Sequence, residues 1–302
     1  MAGNPGSLKP EGAVDPQPEA GHALHCIIAA IDLGARSNKA LMRACRIAAR
    51  SGASLRIIHA APTPLDHSRQ AAFRVNVRKQ VCQIVKDVSD LEVDFSVHML
   101  DGHPEEVISR EAERTKADLV IIGGHGEPRF RDTIFGITAS HILQRLAVPL
   151  LVAQREGGDY QRVMAASDND IFAADLARFA LQIAPGAEIH VVQAVETGGS
   201  AFIENAAAGE KRRYDREHNL QQALARALGP GTAPERLFTC VEEGDPMEVI
   251  ERCSDRLQPD LIAMGTHGCM GMERLIQGSF AEYVLLWASA DVLVLPVGWK
   301  AT

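Results

Sequence analysis

Gly265-Thr266-His267-Gly268 and, after nine intervening residues, Gly278-Ser279 are the residues of this chain whose types and spacing best suit chemistry. Glycines at such positions let the backbone turn sharply and approach a ligand without Cβ clashes. The apolar run Asp260 to Met264 precedes them with strand length, and Phe280, Val284, Leu285 and Trp287 follow with the spacing of a helical face. The order is therefore strand, glycine loop, helix. A helix start offers unpaired N–H groups and partial positive charge, a setting suited to phosphate. Ser279 stands where a hydroxyl caps that helix or donates to a phosphate oxygen. No Lys-Ser/Thr follows the last glycine, so the loop is not a Walker A sequence, and its spacing is not G-x-G-x-x-G.

The elements that position this loop recur along the chain. Residues 1–22 are rich in Gly, Pro, Glu and Ala and are expected to form a disordered tail, since they bury too little to order themselves. Leu24 to Ile31 reads as a buried strand ending at Asp32, followed by a helix from about Ser37 to Arg50 that Gly52 stops. Strand-like runs at Leu55–Ala60, Val93–Leu100, Asp118–Ile122 and Pro149–Val152 alternate with helical patterns. Gly123-Gly124-His125-Gly126 and Gly136 repeat the glycine spacing of the later loop. Val163–Ser167 ends at Asp168 as the first strand ends at Asp32, Glu243-Gly244-Asp245-Pro246 matches Asp101-Gly102-His103-Pro104, and Val292–Val294 matches Leu150–Val152. One domain is written twice, with the join near Arg155 to Asp159. The reading is a tail at 1–22, a first domain at 23–155 and a second at 156–302. Alternating strands and helices imply right-handed crossovers, a parallel sheet with helices on both faces, and a ligand at the carboxyl ends of the strands.

Composition excludes several classes. A formal net charge of −8 argues against a nucleic-acid-binding surface as the main business. No apolar run approaches membrane-spanning length, and the N-terminus lacks the layout of a signal peptide. The six cysteines are scattered with no C-x-x-C pair, which reads as reduced thiols in an intracellular, cytoplasmic protein.

The G-x2-G-x9-G-S spacing, together with the repeat, resembles the universal stress protein family, and the whole chain from about residue 23 to 298 resembles its tandem members. The resemblance implies an α/β fold of two tandem, doubly wound, five-stranded parallel sheets, Rossmann-like, with strand order 3-2-1-4-5 and helices on both faces. It implies ATP as ligand, with ADP or AMP and Mg²⁺ as variants. Carried over residue by residue, Asp168 lies at the adenosine, Ala166 and Met264 flank the base, and Gly265, Gly268, Gly278 and Ser279 surround the phosphates. His267 and Phe280 complete the expected site. The first half keeps Asp32, Gly123, Gly126 and Gly136 but has Ile137 where Ser279 stands, so its site is expected to be degenerate. Family domains commonly pair through their last strands. Leu150–Val152 and Val292–Leu295 are therefore expected to join the halves as an intramolecular pseudo-dimer; a further homodimer is left open.

Plainer readings stand beside these. Gly265 and Gly268 serve as ordinary turn glycines in any such loop, Ser279 caps a helix with or without a ligand, and Asp168 could cap a helix beginning near Asp170. His267 and His125 read equally as solvent-exposed loop histidines. The basic run Lys211-Arg212-Arg213 reads first as a solvated helix face. No His or Cys spacing suggests a metal, and none is assigned. For catalysis the loop supplies only His267 and Glu273, neither at a convincing spacing, so no catalytic residue is assigned. A weak ATP hydrolase or phosphotransferase at the same site, and an interaction scaffold without nucleotide, remain the alternatives to a nucleotide-binding regulatory protein.

Overall fold

The computed structural model describes residues 23–32, 36–61, 66–88, 93–124, 137–156, 158–195, 206–229, 234–266, 279–296 and 298–299. In the first half, strands β1 (Cys26–Ala30), β2 (Ser54–Ala61), β3 (Phe95–Asp101), β4 (Leu119–Gly123) and β5 (Leu150–Ala153) alternate with helices α1 (Arg36–Ser51), α2 (His67–Val88), α3 (Pro104–Thr115) and α4 (Ile137–Arg145). The second half repeats the order. Its strands are β6 (Arg162–Ala166), β7 (Glu188–Val195), β8 (Leu237–Glu243), β9 (Leu261–Gly265) and β10 (Asp291–Leu295), and its helices are α5 (Asp170–Ile183), α6 (Ala206–Leu228), α7 (Pro246–Leu257) and α8 (Ser279–Trp287).

Within each half the neighbours are parallel and run 3-2-1-4-5. The sheets are not separate, however: the full order is β3-β2-β1-β4-β5-β10-β9-β6-β7-β8. β5 and β10 pair antiparallel, with Leu151 opposite Leu293 and Val152 opposite Val292. The expectation of two five-stranded parallel sheets is therefore adjusted to one mixed ten-stranded sheet. The reason is physical. β5 and β10 are fully buried along their length and apolar apart from Asp291 at the start of β10, and either would be an unpaired edge without the other. The free edges are instead β3 and β8, whose residues are mostly half-exposed.

The continuous apolar character of the central strands follows from cover on both faces. On one face Ile27, Ile57, Ile121, Leu151, Val163 and Leu293 pack with residues of α1, α2, α5 and α6. On the other, Ile28, Val120, Val152, Met164, Ile262 and Val292 pack with residues of α3, α4, α7 and α8. The period-two alternation along each strand thus assigns successive side chains to two different cores. Pro104 and Pro246 open α3 and α7, where a missing N–H costs nothing, and Asp245 caps α7 by accepting from Met247 N and Glu248 N. No helix among the described residues is long and apolar enough to cross a membrane.

Candidate functional site

β6 and β9 are neighbours at the centre of the second half, and Ala166 stands opposite Met264 in their parallel register. The turn after β6 therefore lies beside the residues leaving β9. The helices that follow diverge from this point: α5 packs on one face of the sheet and α8 on the other. A strand pair whose crossovers part in this way opens a crevice at its carboxyl ends, the topological switch point of a doubly wound sheet. Gly265 ends β9 inside that crevice, and Thr266 N is anchored to Leu295 O at 2.9 Å. The first half has the same layout, with Ala30 opposite Ile122 and α1 and α4 on opposite faces.

Several expected site residues can be placed. Asp168 is half-buried in the turn after β6. It is not the helix cap, because Asn169 takes that role and accepts from Ile171 N at 2.9 Å and Phe172 N at 3.0 Å. Ala166 and Met264 are each 1 % exposed and belong to the core beneath α7 and α8, so they floor the crevice from below. Phe280, in the first turn of α8, is half-buried and packs on the same core. In the first half Asp32 is exposed and Gly123 ends β4. The neighbouring Gly124 is required by packing, since a Cβ there would fall 2.7 Å from Gln154 Cγ. His267, Gly268, Gly278, Gly126 and Gly136, and the side chains of Ser279 and Ile137, lie outside the described residues; α8 and α4 nevertheless begin at Ser279 and Ile137, the equivalent positions.

A network that sequence reasoning missed fixes the turn after β6. Arg216 of α6 donates to the Asp168 carbonyl and, at 2.9 Å, to Gln193 Oε1. Gln193 in turn donates to Asp170 Oδ1 at 2.9 Å, and Arg216 Nη2 lies 3.6 Å from the same oxygen. Gln193 is 1 % exposed, so this amide is buried with both ends satisfied. Lys211, Arg212 and Arg213 are exposed, whereas Arg216 on the same helix turns toward the sheet. The signal available in the sequence was a polar Gln inside the apolar strand Ile189–Val195, which demands partners when buried.

A donor set for phosphate is present in kind. Gly265 permits close backbone approach, and the first N–H groups of α8 have no acceptor within the helix. Glu282 adds one negative charge in the first turn of α8 and opposes an anion there. Elsewhere, Cys240, Glu242 and Cys253 bring one ligand-type atom each within 4.8 Å of one another, a cluster that linear spacing did not suggest.

Comparison with known proteins agrees with this architecture. The family model described as "Universal stress protein family" matches residues 24–154 and again 159–296. The chain is 27 % identical over 231 residues to "Universal stress protein E" of Salmonella typhi, covering 72 % of each chain. In fold it is similar to a universal stress protein from Archaeoglobus fulgidus, with TM-score 0.64, 17 % identity and coverage of 90 % and 98 %. A protein from Pseudomonas aeruginosa PAO1 described as functionally unknown shares the fold too, with TM-score 0.68, 21 % identity and coverage of 91 % and 93 %.

Proposed function

The chain belongs to the universal stress protein family as a tandem member, and on that footing we propose that it is an ATP-binding regulatory protein of the cytoplasmic stress response, with the nucleotide held by the second half. The observation that carries this reading is the β6/β9 switch point, because the intact glycine loop leaves β9 there beside a turn fixed by Arg216. Asp168 would meet the ribose or adenine above the floor of Ala166 and Met264. Gly265, His267, Gly268, Gly278 and Ser279 would surround the phosphates, and Phe280 would back the first turn of α8. ATP is the preferred ligand, with ADP or AMP and Mg²⁺ as variants.

The proposed domain limits are 23–155 and 156–302, with the two halves acting as an intramolecular pseudo-dimer. The antiparallel β5–β10 pairing supports that arrangement. The test is mass spectrometry of nucleotide released from the purified chain on denaturation, followed by calorimetric titration of the emptied protein with ATP. ATP, ADP or AMP in the extract and saturable binding support the reading. A clean extract with no heat on titration rejects it in favour of a scaffold.

A further inference from the structure

Cys240 lies half-buried on β8, which ends the sheet among the described residues and pairs with β7. Cys253 lies on α7 and is fully buried. Their sulfurs and the Glu242 carboxylate fall within 4.8 Å of one another. Arg256 sits over all three. Its Nη1 donates to Glu242 Oε1 at 2.6 Å, while Nη2 lies 3.2 Å from Cys240 Sγ and 3.4 Å from Cys253 Sγ. Arg252 Nη2 holds the other Glu242 oxygen at 3.0 Å. A carboxylate thus fixes a guanidinium against two neighbouring sulfurs, one of them reachable from solvent.

We propose that Cys240 and Cys253 are an oxidisable dithiol, with Cys240 as the attacking thiolate and Cys253 as the resolving thiol, which closes to a disulfide between β8 and α7 on exposure to hydroperoxide. The division of roles follows from burial and hydrogen bonding. The neighbouring Cys253 thiol draws Cys240 below the usual thiol range with Arg256 helping, against desolvation and the Glu242 carboxylate, whose Oε1 lies 3.6 Å from Cys240 Sγ. That same contact, with burial, pushes Cys253 up, so it keeps its proton until it attacks. A low-pKa, accessible cysteine beside a resolving partner is the arrangement that peroxide oxidation selects. The three atoms are also of metal-ligand type. Two guanidiniums already place positive charge on the carboxylate, however, and one lies against both sulfurs, so a cation would have to displace them.

The chemistry balances with hydrogen peroxide as the oxidant. The Cys240 thiolate attacks one peroxide oxygen, the O–O bond breaks, and Cys240 sulfenic acid and hydroxide form. The Cys253 sulfur then attacks Cys240 Sγ, the S–O bond breaks, and water leaves with the Cys253 proton. Arg256 would stabilise the thiolate without touching peroxide and is a positioning residue.

The reduced full-length chain is treated with hydrogen peroxide, capped with iodoacetamide, digested and mapped by mass spectrometry. A Cys240–Cys253 linked peptide that dithiothreitol reverses is expected. Cys240 should react about tenfold faster than the exposed Cys82. Cys253→Ser should leave a Cys240 sulfenic acid that dimedone captures, and Cys240→Ser should leave Cys253 reduced. Arg256→Ala should slow Cys240 several-fold, with Arg256→Lys restoring part of the rate; unchanged far-ultraviolet circular dichroism would show that each variant still folds. A Cys240 no more reactive than Cys82 in the unsubstituted chain, or a disulfide formed with any other cysteine, overturns the proposal.

Discussion

Arg43 Nε, on α1 of the first half, donates to Asp291 Oδ2, on β10 of the second, at 2.8 Å across 248 residues of chain. Both side chains are buried, at 5 % and 0 % exposure. Asp291 is fully satisfied: Tyr160 Oη donates to Oδ2 at 2.7 Å, and the Gln154 and Arg155 amides donate to Oδ1 at 2.8 Å each. Arg43 also donates to Gly158 O at 2.8 Å and lies 3.9 Å from the Tyr160 ring centre. One carboxylate therefore gathers α1, the linker between halves and the last strand beside the β5–β10 seam.

Removing one partner of such a pair leaves a buried charge uncompensated, which costs about 3–5 kcal/mol. Arg43→Ala is expected to destabilise the chain by that amount, and Asp291→Ala by at least as much, because it also strands two backbone amides and Tyr160 Oη. The urea midpoint reads the effect. A loss below about 1 kcal/mol, the range of exposed pairs, would show that the seam holds without this contact.

Acid should act through Glu242. Its desolvation alone would raise its pKa, but the Arg256 and Arg252 hydrogen bonds outweigh that and hold it at about 2 instead of 4.5. A depressed carboxylate pKa contributes stability that is present above the unfolded value of about 4.5 and is lost as pH falls toward about 2. Glu242→Gln removes this contribution. Its urea midpoint should fall less steeply than that of the unsubstituted chain between those pH values. Parallel curves would show that the arginines add nothing at Glu242.

The sequence made the strand–helix alternation, the duplication and the glycine loop legible because each is local and periodic. Leu151 and Leu293 could be picked as buried strand residues, and the family resemblance implied that their strands join the halves; their antiparallel register within one continuous sheet could not be read, because edge pairing depends on how two folded halves meet. Asp168 was named as a candidate cap of α5, but Asn169 takes that role, and only backbone geometry decides between adjacent residues. Asp291, Tyr160 and Arg43 could not be grouped, since nothing in the linear order joins them. Cys240 and Cys253 read as scattered because one lies on a strand and the other on the following helix, with a turn between.

Arg216→Ala tests whether the turn after β6 is held from outside. The substitution removes the donor to the Asp168 carbonyl and leaves the buried Gln193 Oε1 unpaired. A lost hydrogen bond to a charged group is worth about 1.5–3 kcal/mol. The denaturation midpoint should fall accordingly, and ATP affinity in calorimetry should fall with it. Arg216→Lys should restore little, because a point ammonium cannot serve two acceptors in the fork geometry of a guanidinium. Affinity unchanged in Arg216→Ala would mean that the turn is set by Asn169 and its own hydrogen bonds.

The two halves should bind nucleotide unequally. α4 and α8 begin at equivalent positions, yet one begins with Ile137 and the other with Ser279. A phosphate needs several donors converging on it, and an apolar group beside its charge costs desolvation without a compensating bond. Losing one hydroxyl bond to a charged group is worth about 1.5–3 kcal/mol, about tenfold to a hundredfold in affinity. The second half should therefore fill first, giving close to one ATP per chain at moderate concentration. Gly278→Val should abolish that binding by placing a branched side chain where backbone meets phosphate, and Ser279→Ala should weaken it without unfolding the chain. Glu282→Gln should strengthen it a few-fold by removing a negative charge from the first turn of α8. Ile137→Ser should bring the first site into the measurable range. Titration calorimetry on the four variants reads all of this. Two equal sites in the unsubstituted chain, or binding that survives Gly278→Val, would place the nucleotide away from this loop.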